Sequence, residues 1–417
     1  HASEGRARIL RNFYELGRRS LDYPPADSRD PVAYVIPAGQ GRDENLSKMI
    51  GALVEQGVEV HRMDSELHLS HTSRDARDAH ETPGGSYLVL LAQPYRTNVQ
   101  ALFERQVYPD RRTASGEAER PYDVAGWTLP MQMGLEVLPV VGIREPARER
   151  RLTPVLSEDD VRRDLGLPPR LGDASPVRSP LERPVRLALY KSWTASMDEG
   201  WTRYVFDTFN VPYTSLRDRD VRAGNLRQKF DVIVLPSMRT REIVEGRPPV
   251  RAPAEFAGGI TEAGVEHLRR FVEEGGTLVC FDASTELAIK RFRLPVKNVL
   301  EGLKSSDFYG PGSILRIEVD TTHPIARGMA READAYFIQS QAFEVEEREG
   351  VRVVARYAGK DAVLRSGWLL GPQHLAGKAA LVEVALGRGR VRLFGFRPQH
   401  RAQTWGTFPF IFNAISR

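Results

Sequence analysis

The sequence predicts an α/β protein of two domains, a small α/β unit followed by a larger, doubly wound domain with a mixed sheet. Three observations predict it. Short apolar runs alternate with amphipathic helical stripes and tight turns. Two of those runs, FDVIVLPS (230–237) and TLVCFD (277–282), are apolar on both faces, as strands buried in a parallel sheet are. The last strand runs follow one another without helices between them, so part of the larger sheet is antiparallel. The 417 residues, at 46.8 kDa, are too many for one ordinary domain and suit two or three.

The elements follow in order. HASEGRARILRNFYELGRRSLD carries Ile9, Leu10, Phe13 and Leu16 at helical spacing, so residues 1–30 read as an N-terminal helix and connector. A helix there points either to a chain excised from something longer or to a residual tag residue at His1. Residues 31–145 read as the small α/β domain. VAYVI (32–36) is a strand, LSKMIGALVEQ (46–56) a helix ended by Gly57, and VEVHRM a second strand. Strand, helix, strand in about thirty residues favours a parallel pair. SYLVLLAQ (86–93), the helix TNVQALFERQ (97–106) and a last strand in WTLPMQMGLEVLPV complete the unit.

Residues 146–183 are rich in Pro, Arg and Asp and poor in large apolar side chains, which reads as a surface linker. Pro146, Pro154, Pro168, Pro169, Pro176 and Pro180 break any long helix. SEDDVRRDLG is the exception. Ser157 is a candidate N-cap, and Glu158, Asp159 and Asp160 sit where the helix dipole favours negative charge.

Residues 184–417 form the larger domain. VRLALY is its first strand and DEGWTRYVFDTFN an amphipathic helix. TEAGVEHLRRFVEEGG (261–276) is a helix with Thr261 as N-cap, a stripe of Val265, Leu268, Phe271 and Val272, and Gly275-Gly276 as its stop. ILRIEV, VRVVARYA, AALVEVAL and GRVRLFGF are later strands, and TFPFIFNAI is a closing helix.

Composition excludes several classes. Apolar residues make 41% and charged residues 27%, an ordinary globular balance. No run approaches the ~18–20 apolar residues of a membrane span. A net charge of +4, with basic and acidic residues intermixed, does not fit a dedicated nucleic-acid binder. Arginine outnumbers lysine 51 to 8, which names no ligand. Cys280 is the only cysteine, which excludes an internal disulfide and a cysteine zinc cluster. Its place in TLVCFD predicts a buried, slow-reacting thiol.

Ligand crevices in open α/β sheets lie beyond the carboxyl ends of the strands. Those ends offer Lys191, Ser192, Ser237, Arg239, Asp282, Ser284, Arg397 and His400 as a pocket that can converge. Asp282, Ser284, Arg397 and His400 are its leading candidates. Ser284, between a strand and the helical stretch ELAIKRF, has the place of a nucleophile elbow, but the small residues such an elbow needs are missing. No catalytic residue is assigned on these grounds. The segment 61–82 holds His61, His68, His71, His80 and five carboxylates; His68, His71 and His80 are its metal candidates, but a solvated loop fits the irregular spacing better. HExxH is absent. ALGRGR (385–390) joins two strands and reads as a hairpin turn, not a phosphate cradle.

Two resemblances follow. FDVIVLPS, FVEEGGTLVCFD, THPIARGM (322–329) and the closing GRVRLFGFRPQHRAQTWGTFPFIFNAI resemble the class I glutamine amidotransferase-like fold, a flavodoxin-like arrangement. Members with activity carry a cysteine at the elbow and a His-x-Glu pair; here the elbow region is DAST, and Arg401 and Ala402 follow His400. The resemblance therefore implies the fold without the triad. YVIPAGQGRDENLSKMIGALVEQGVEVHRM, GSYLVLLAQPYRTNVQALFERQVYPD and PYDVAGWTLPMQMGLEVLPV, in that order ahead of the amidotransferase-like part, resemble the post-catalytic region of secreted bacterial zinc carboxypeptidases of the carboxypeptidase A type.

This second resemblance implies a non-catalytic C-terminal accessory or binding module of a secreted metallocarboxypeptidase-like protein, placed in the periplasm or outside the cell. It implies no cofactor in this chain, with zinc held by a missing catalytic domain. The expected partners are that metallopeptidase domain or further copies of the chain. Two alternatives stand beside it: a self-assembling extracellular structural protein (filament, tube or layer), and a hydrolase using the strand-end pocket.

Overall fold

The structure, a computed structural model, describes residues 3–22, 30–71, 80–143, 152–169, 179–248, 250 and 252–416. The chain forms two compact units: residues 1–104 with 128–174, and residues 105–127 with 175–417.

The first unit opens with helix α1 (Arg6–Leu21), whose predicted stripe is exposed, Phe13 at 70%. His1 lies outside the described residues. Strand β1 (Ala33–Ile36), helix α2 (Asp43–Glu55) and strand β2 (Val60–Met63) follow. After them come β3 (Leu67–Ser70), β4 (His80–Thr82), β5 (Tyr87–Leu90), α3 (Arg96–Phe103), α4 (Leu129–Met133), β6 (Leu138–Val140), β7 (Gly142–Ile143), β8 (Leu152–Val155) and α5 (Glu158–Asp164). The main sheet runs β6-β1-β5-β2-β8, and every neighbouring pair is antiparallel. β1 and β2 do point the same way. They are not a pair, because β5 inserts between them; the periodicity of β1, α2 and β2 carries no information about a third strand.

The reading of 146–183 as a surface linker is corrected for its described part. β8 is an edge strand on β2, and α5 packs on α2. Pro154 is compatible with this because an edge strand needs no inward donor. Few apolar residues suffice: Val155 and Val161 are buried. Buried Arg162 adds an ion pair, its Nη1 2.8 Å from Glu44, and donates to the Pro168 carbonyl at 2.7 Å. The Ser157 cap forms as read, its hydroxyl accepting from the Asp160 N–H. Pro146 and Pro176 lie outside the described residues.

The second unit contains β9 (Leu187–Tyr190), α6 (Met197–Thr208), β10 (Thr214–Leu216), α7 (Asp218–Ala223), α8 (Leu226–Lys229), β11 (Val232–Leu235), α9 (Thr240–Val244), α10 (Thr261–Glu273), β12 (Thr277–Phe281) and α11 (Thr285–Arg291). A long antiparallel excursion follows: β13 (Val296–Asn298), β14 (Ser313–Val319), β15 (Glu332–Phe337), β16 (Phe343–Val345), β17 (Val351–Tyr357), β18 (Leu364–Ser366) and β19 (Ala379–Leu386). β20 (Gly389–Phe394) and α12 (Phe408–Ile415) close the chain. The order β10-β9-β11-β12-β20 is parallel throughout. Numbered along the chain this is 2-1-3-4-5, the flavodoxin-like doubly wound order. β19 returns antiparallel on β20 through a two-residue turn, Gly387-Arg388, and extends the sheet to β17, β14 and β15. The fold is therefore mixed α/β with one large mixed sheet.

One face of that sheet packs on α7 to α11 through a core that includes Ile233, Leu278, Cys280, Leu268 and Phe271. The other is covered by α6 and α12 through an aromatic chain, Phe209 with Phe408 and Phe412, and Phe396 with Phe410. The stripe of α10 is buried as its spacing predicts. Thr261 does not cap it. The Ile260 N–H is bound to the Ile243 carbonyl, so the chain enters at Ile260 and Thr261 becomes the first helical residue.

Two features lock the antiparallel part. Residues 105–127 clasp β14 and β18. Gln106 exchanges bonds with Ser366 and Gly367 at 2.9 Å, and the Ala125 and Gly126 N–H groups reach the Gly312 carbonyl. The clasp demands glycine where backbones meet. A Cβ on Gly367, at φ +106°, would lie 2.7 Å from Ser313 Oγ and 2.9 Å from the Gly126 nitrogen. The second feature is an ionic knot on β19 and β20. Glu383 accepts from Arg392 Nε at 2.8 Å, with Arg390 at 3.4 Å and His323 Nε2 at 3.6 Å. His323, from THPIARGM, accepts the Ile325 N–H on Nδ1, so its proton sits on Nε2 and faces Glu383. Burial alone would push the Glu383 carboxyl up; the facing His323 ring and the paired arginines override it and hold the carboxyl at about 2.

Gly367→Ala is expected to cost about 1–3 kcal/mol or more in chemical denaturation, from backbone strain and the clash together; an unchanged midpoint would show that the clasp yields. The Glu383 contribution is present above the ordinary carboxyl value of 4.5 and is lost as pH falls toward about 2. Glu383→Gln is therefore expected to lower stability at pH 7 and to flatten its fall over that acid window, read from melts at stepped pH. A fall as steep as in the parent would contradict the pairing.

Candidate functional site

The strand-end cluster forms where β11, β12 and β20 end side by side. β12 turns into α11 through Asp282, whose φ of +50° is left-handed. Asp282 is 1% exposed. Its Oδ2 accepts from Ser237 Oγ, beyond β11, at 2.8 Å and from Arg397 Nε, beyond β20, at 3.0 Å. The Ala283 N–H reaches back to Ser237 Oγ at 3.4 Å. Arg397 also donates from Nη1 to Asp198 Oδ2 at 3.0 Å, in the first turn of α6. One guanidinium thus bridges two carboxylates. Asp282 Oδ1 is buried with no hydrogen-bond partner. Burial pushes the Asp198 carboxyl up; Arg397 opposes this and Asp282 adds to it.

Three of the predicted residues therefore come together: Ser237, Asp282 and Arg397. The elbow residue is Asp282, not Ser284. Ser284 lies two residues further, fully buried, and its hydroxyl donates to the Leu235 and Phe281 carbonyls at 3.0 and 2.9 Å. It is a structural hydroxyl that fastens α11 to the sheet, because the left-handed turn is completed before it. His400 neighbours the cluster through its N–H, 3.4 Å from the Arg397 carbonyl. Its ring stacks on Tyr336 at 3.8 Å and 12°. Burial, then the Arg397 and Arg401 charges, lower its pKa to about 3, so the imidazole is neutral near pH 7. Lys191 turns to Glu199 at 4.0 Å, Ser192 accepts from the Thr194 N–H, and Arg239 is exposed at the start of α9. These three do not join the cluster.

Asp198 was missed by sequence reasoning. Its signal was the Ser196-x-x-Glu199 capping pattern, which fixes the start of α6 and so places Asp198 over the strand ends. Cys280 is fully buried beneath the cluster and burial pushes its thiol far up, as its place in the strand predicts.

Among the described residues the histidine segment does not assemble a site. His68 pairs across the β3–β4 ladder with Glu81, and His80 with Leu69, which puts the two histidines on opposite faces of the hairpin. His71 Nδ1 lies 2.6 Å from the Pro139 carbonyl. Among the described residues no group of three or more His, Cys, Asp or Glu is placed to hold a metal ion. Residues 72–79 of that segment lie outside the described residues. No described helix is long and apolar enough to cross a membrane.

No family model matches the chain, and no curated protein matches it. Parts of solved structures do. A β-galactosidase from Bacillus circulans is similar at 14% identity and TM-score 0.34 over 54% of this chain, and the match spans 30% of the enzyme's length. A cytoplasmic protein of Salmonella typhimurium is similar at 13% identity and TM-score 0.35, over 55% of this chain and 98% of that one. A putative ThuA-like protein from Bacteroides uniformis is similar at 12% identity and TM-score 0.32, over 54% of this chain and 95% of that one.

Removing Arg397 would leave the buried Asp282 carboxylate without its cation. Arg397→Met is expected to cost about 3 kcal/mol or more in urea denaturation, and pairing it with Asp282→Asn to recover part of that loss. A cost below about 1 kcal/mol would mean that water already screens the cluster.

Proposed function

We propose that this chain is a non-catalytic accessory and binding module of a secreted zinc metallocarboxypeptidase-like protein. One observation carries the non-catalytic reading: the left-handed elbow position holds Asp282, and that carboxylate is engaged by Ser237 and Arg397. Amide hydrolysis through an elbow needs a nucleophile free to attack and a base beside it. Asp282 Oδ2 is committed to two donors, the Ser284 hydroxyl is turned into the sheet, and the His400 ring is stacked on Tyr336. The cluster serves instead as a rivet for the strand ends. What supports the parent protein is the order of sequence blocks from YVIPAGQGRDENLSKMI to GLEVLPV, followed by the amidotransferase-like domain. Zinc would be held by the catalytic domain, with no ligand from this chain.

Two measurements test the reading. A fluorophosphonate probe is expected to leave the native protein unlabelled; stoichiometric labelling lost in Ser284→Ala would restore the hydrolase. The coding sequence upstream of His1 is expected to carry a His-x-x-Glu zinc motif, and an in-frame upstream sequence lacking one would sink the carboxypeptidase parent.

A further inference from the structure

A second feature of the larger unit lies away from the elbow. A cleft of about 420 Å³ opens between the segment 180–183, the Pro324–Ala326 turn, β20 and the end of α12. That volume falls within the ~300–1,000 Å³ of small-molecule sites. Its walls carry Arg183, Arg327, Arg390 and Arg392. Guanidinium groups do not shed their protons, so this concentration of charge is permanent. The compensating carboxylates are Glu182, 2.9 Å from Arg327, and Glu383, which serves both Arg390 and Arg392. Among the described residues two carboxylates thus answer four guanidiniums.

The arginines differ in how they are held. Arg392 is buried and also donates to the Ala414 carbonyl, so it belongs to the fold. Arg390 is 57% exposed and holds Glu383 only at 3.4 Å. Arg327 rides on a loop that Asn413 pins by donating to the Ile325 and Arg327 carbonyls. Arg183 is exposed and makes no hydrogen bond or ion pair among the described residues. Arg183, Arg327 and Arg390 therefore present further donors into one concave space above a floor fixed by the Arg392–Glu383 pair. Planar guanidiniums match the oxygen spacing of carboxylate and phosphate and bind them bidentately.

We propose that this cleft is a binding site for a small ligand carrying two or more oxyanion groups, phosphate or carboxylate, held by Arg183, Arg327 and Arg390. It is independent of the elbow cluster and of the parent proposed above.

The test is isothermal titration of the whole chain with inorganic pyrophosphate and with citrate, at ionic strength fixed by sodium chloride. Saturable binding is expected for at least one probe. Pyrophosphate alone would assign a phosphate ligand, citrate alone a carboxylate ligand, and both the shared oxyanion chemistry. Arg183→Ser, which removes a side chain the fold does not use, is expected to weaken binding roughly tenfold, the worth of one charge-assisted hydrogen bond. Arg348→Ser, an exposed arginine outside the cleft lining, is expected to leave it unchanged. Three results would overturn the proposal: no saturable binding of either probe, unchanged affinity in Arg183→Ser, or an equal loss in Arg348→Ser.

Discussion

A buried carboxylate in a left-handed turn holds the carboxyl edge of the large sheet together. Asp282 ends β12, the strand between β11 and β20, and its Oδ2 accepts from a residue beyond each neighbour. Parallel strands are fixed along their length by backbone bonds, but their ends diverge into separate loops. A side chain that reaches both ways stops that divergence. The positive φ costs about 1–3 kcal/mol, and two hydrogen bonds, one from a guanidinium, offset it. Arg397 then extends the tie to α6 through Asp198, so strand ends and covering helix share one network.

The antiparallel half of the sheet depends on a different device. β19 turns back on β20 through two residues, so the register of the extension is set by a hairpin and not by helices. Strands β17, β14 and β15 have no crossover helices to hold them. The Glu383 knot fastens the first pair from one side, and residues 105–127 clasp β14 and β18 further out. Both devices bring backbones or charges closer than apolar packing requires, which is why they call for glycine at 367 and for arginine at 392.

These structural levels were unequally legible in the sequence. β11 and β12 could be read because strands buried on both faces are apolar throughout, and α10 because its stripe repeats at helical spacing. The clasp could not. Gln106 meets Ser366 across 260 positions, and its bonds use backbone and small polar groups that leave no periodic mark. β8 and α5 were hidden for a related reason: an edge strand tolerates Pro154, and Arg162 is held by a charge partner 118 positions away. At the strand ends the residue types were visible and their ranking was not. Ser284 looked like the elbow because hydroxyls serve there, yet backbone conformation, not side-chain chemistry, decides which residue takes the turn. Asp282 takes it, and aspartate tolerates the left-handed region better than most residues.

The same distinction explains His400. The residue type and its place beyond β20 fit a catalytic base, but three constraints oppose that role. The ring stacks on Tyr336 at 3.8 Å, which fixes its plane; it is buried beside Arg397 and Arg401, which disfavours the imidazolium a base must become; and Arg401 and Ala402, both left-handed, turn the chain away directly after it. A general base must accept a proton and carry the charge through the transition state. Here burial and the Arg397 and Arg401 charges penalise that charge, and Asp282 and Asp198 are each ion-paired with Arg397. The turn from strand to helix is a demand of the doubly wound fold itself and persists whatever side chain occupies it. Catalysis would ask more of that corner, a free nucleophile and a chargeable base, whereas the network of Ser237, Asp282, Arg397 and Asp198 ties the strand ends to the covering helix.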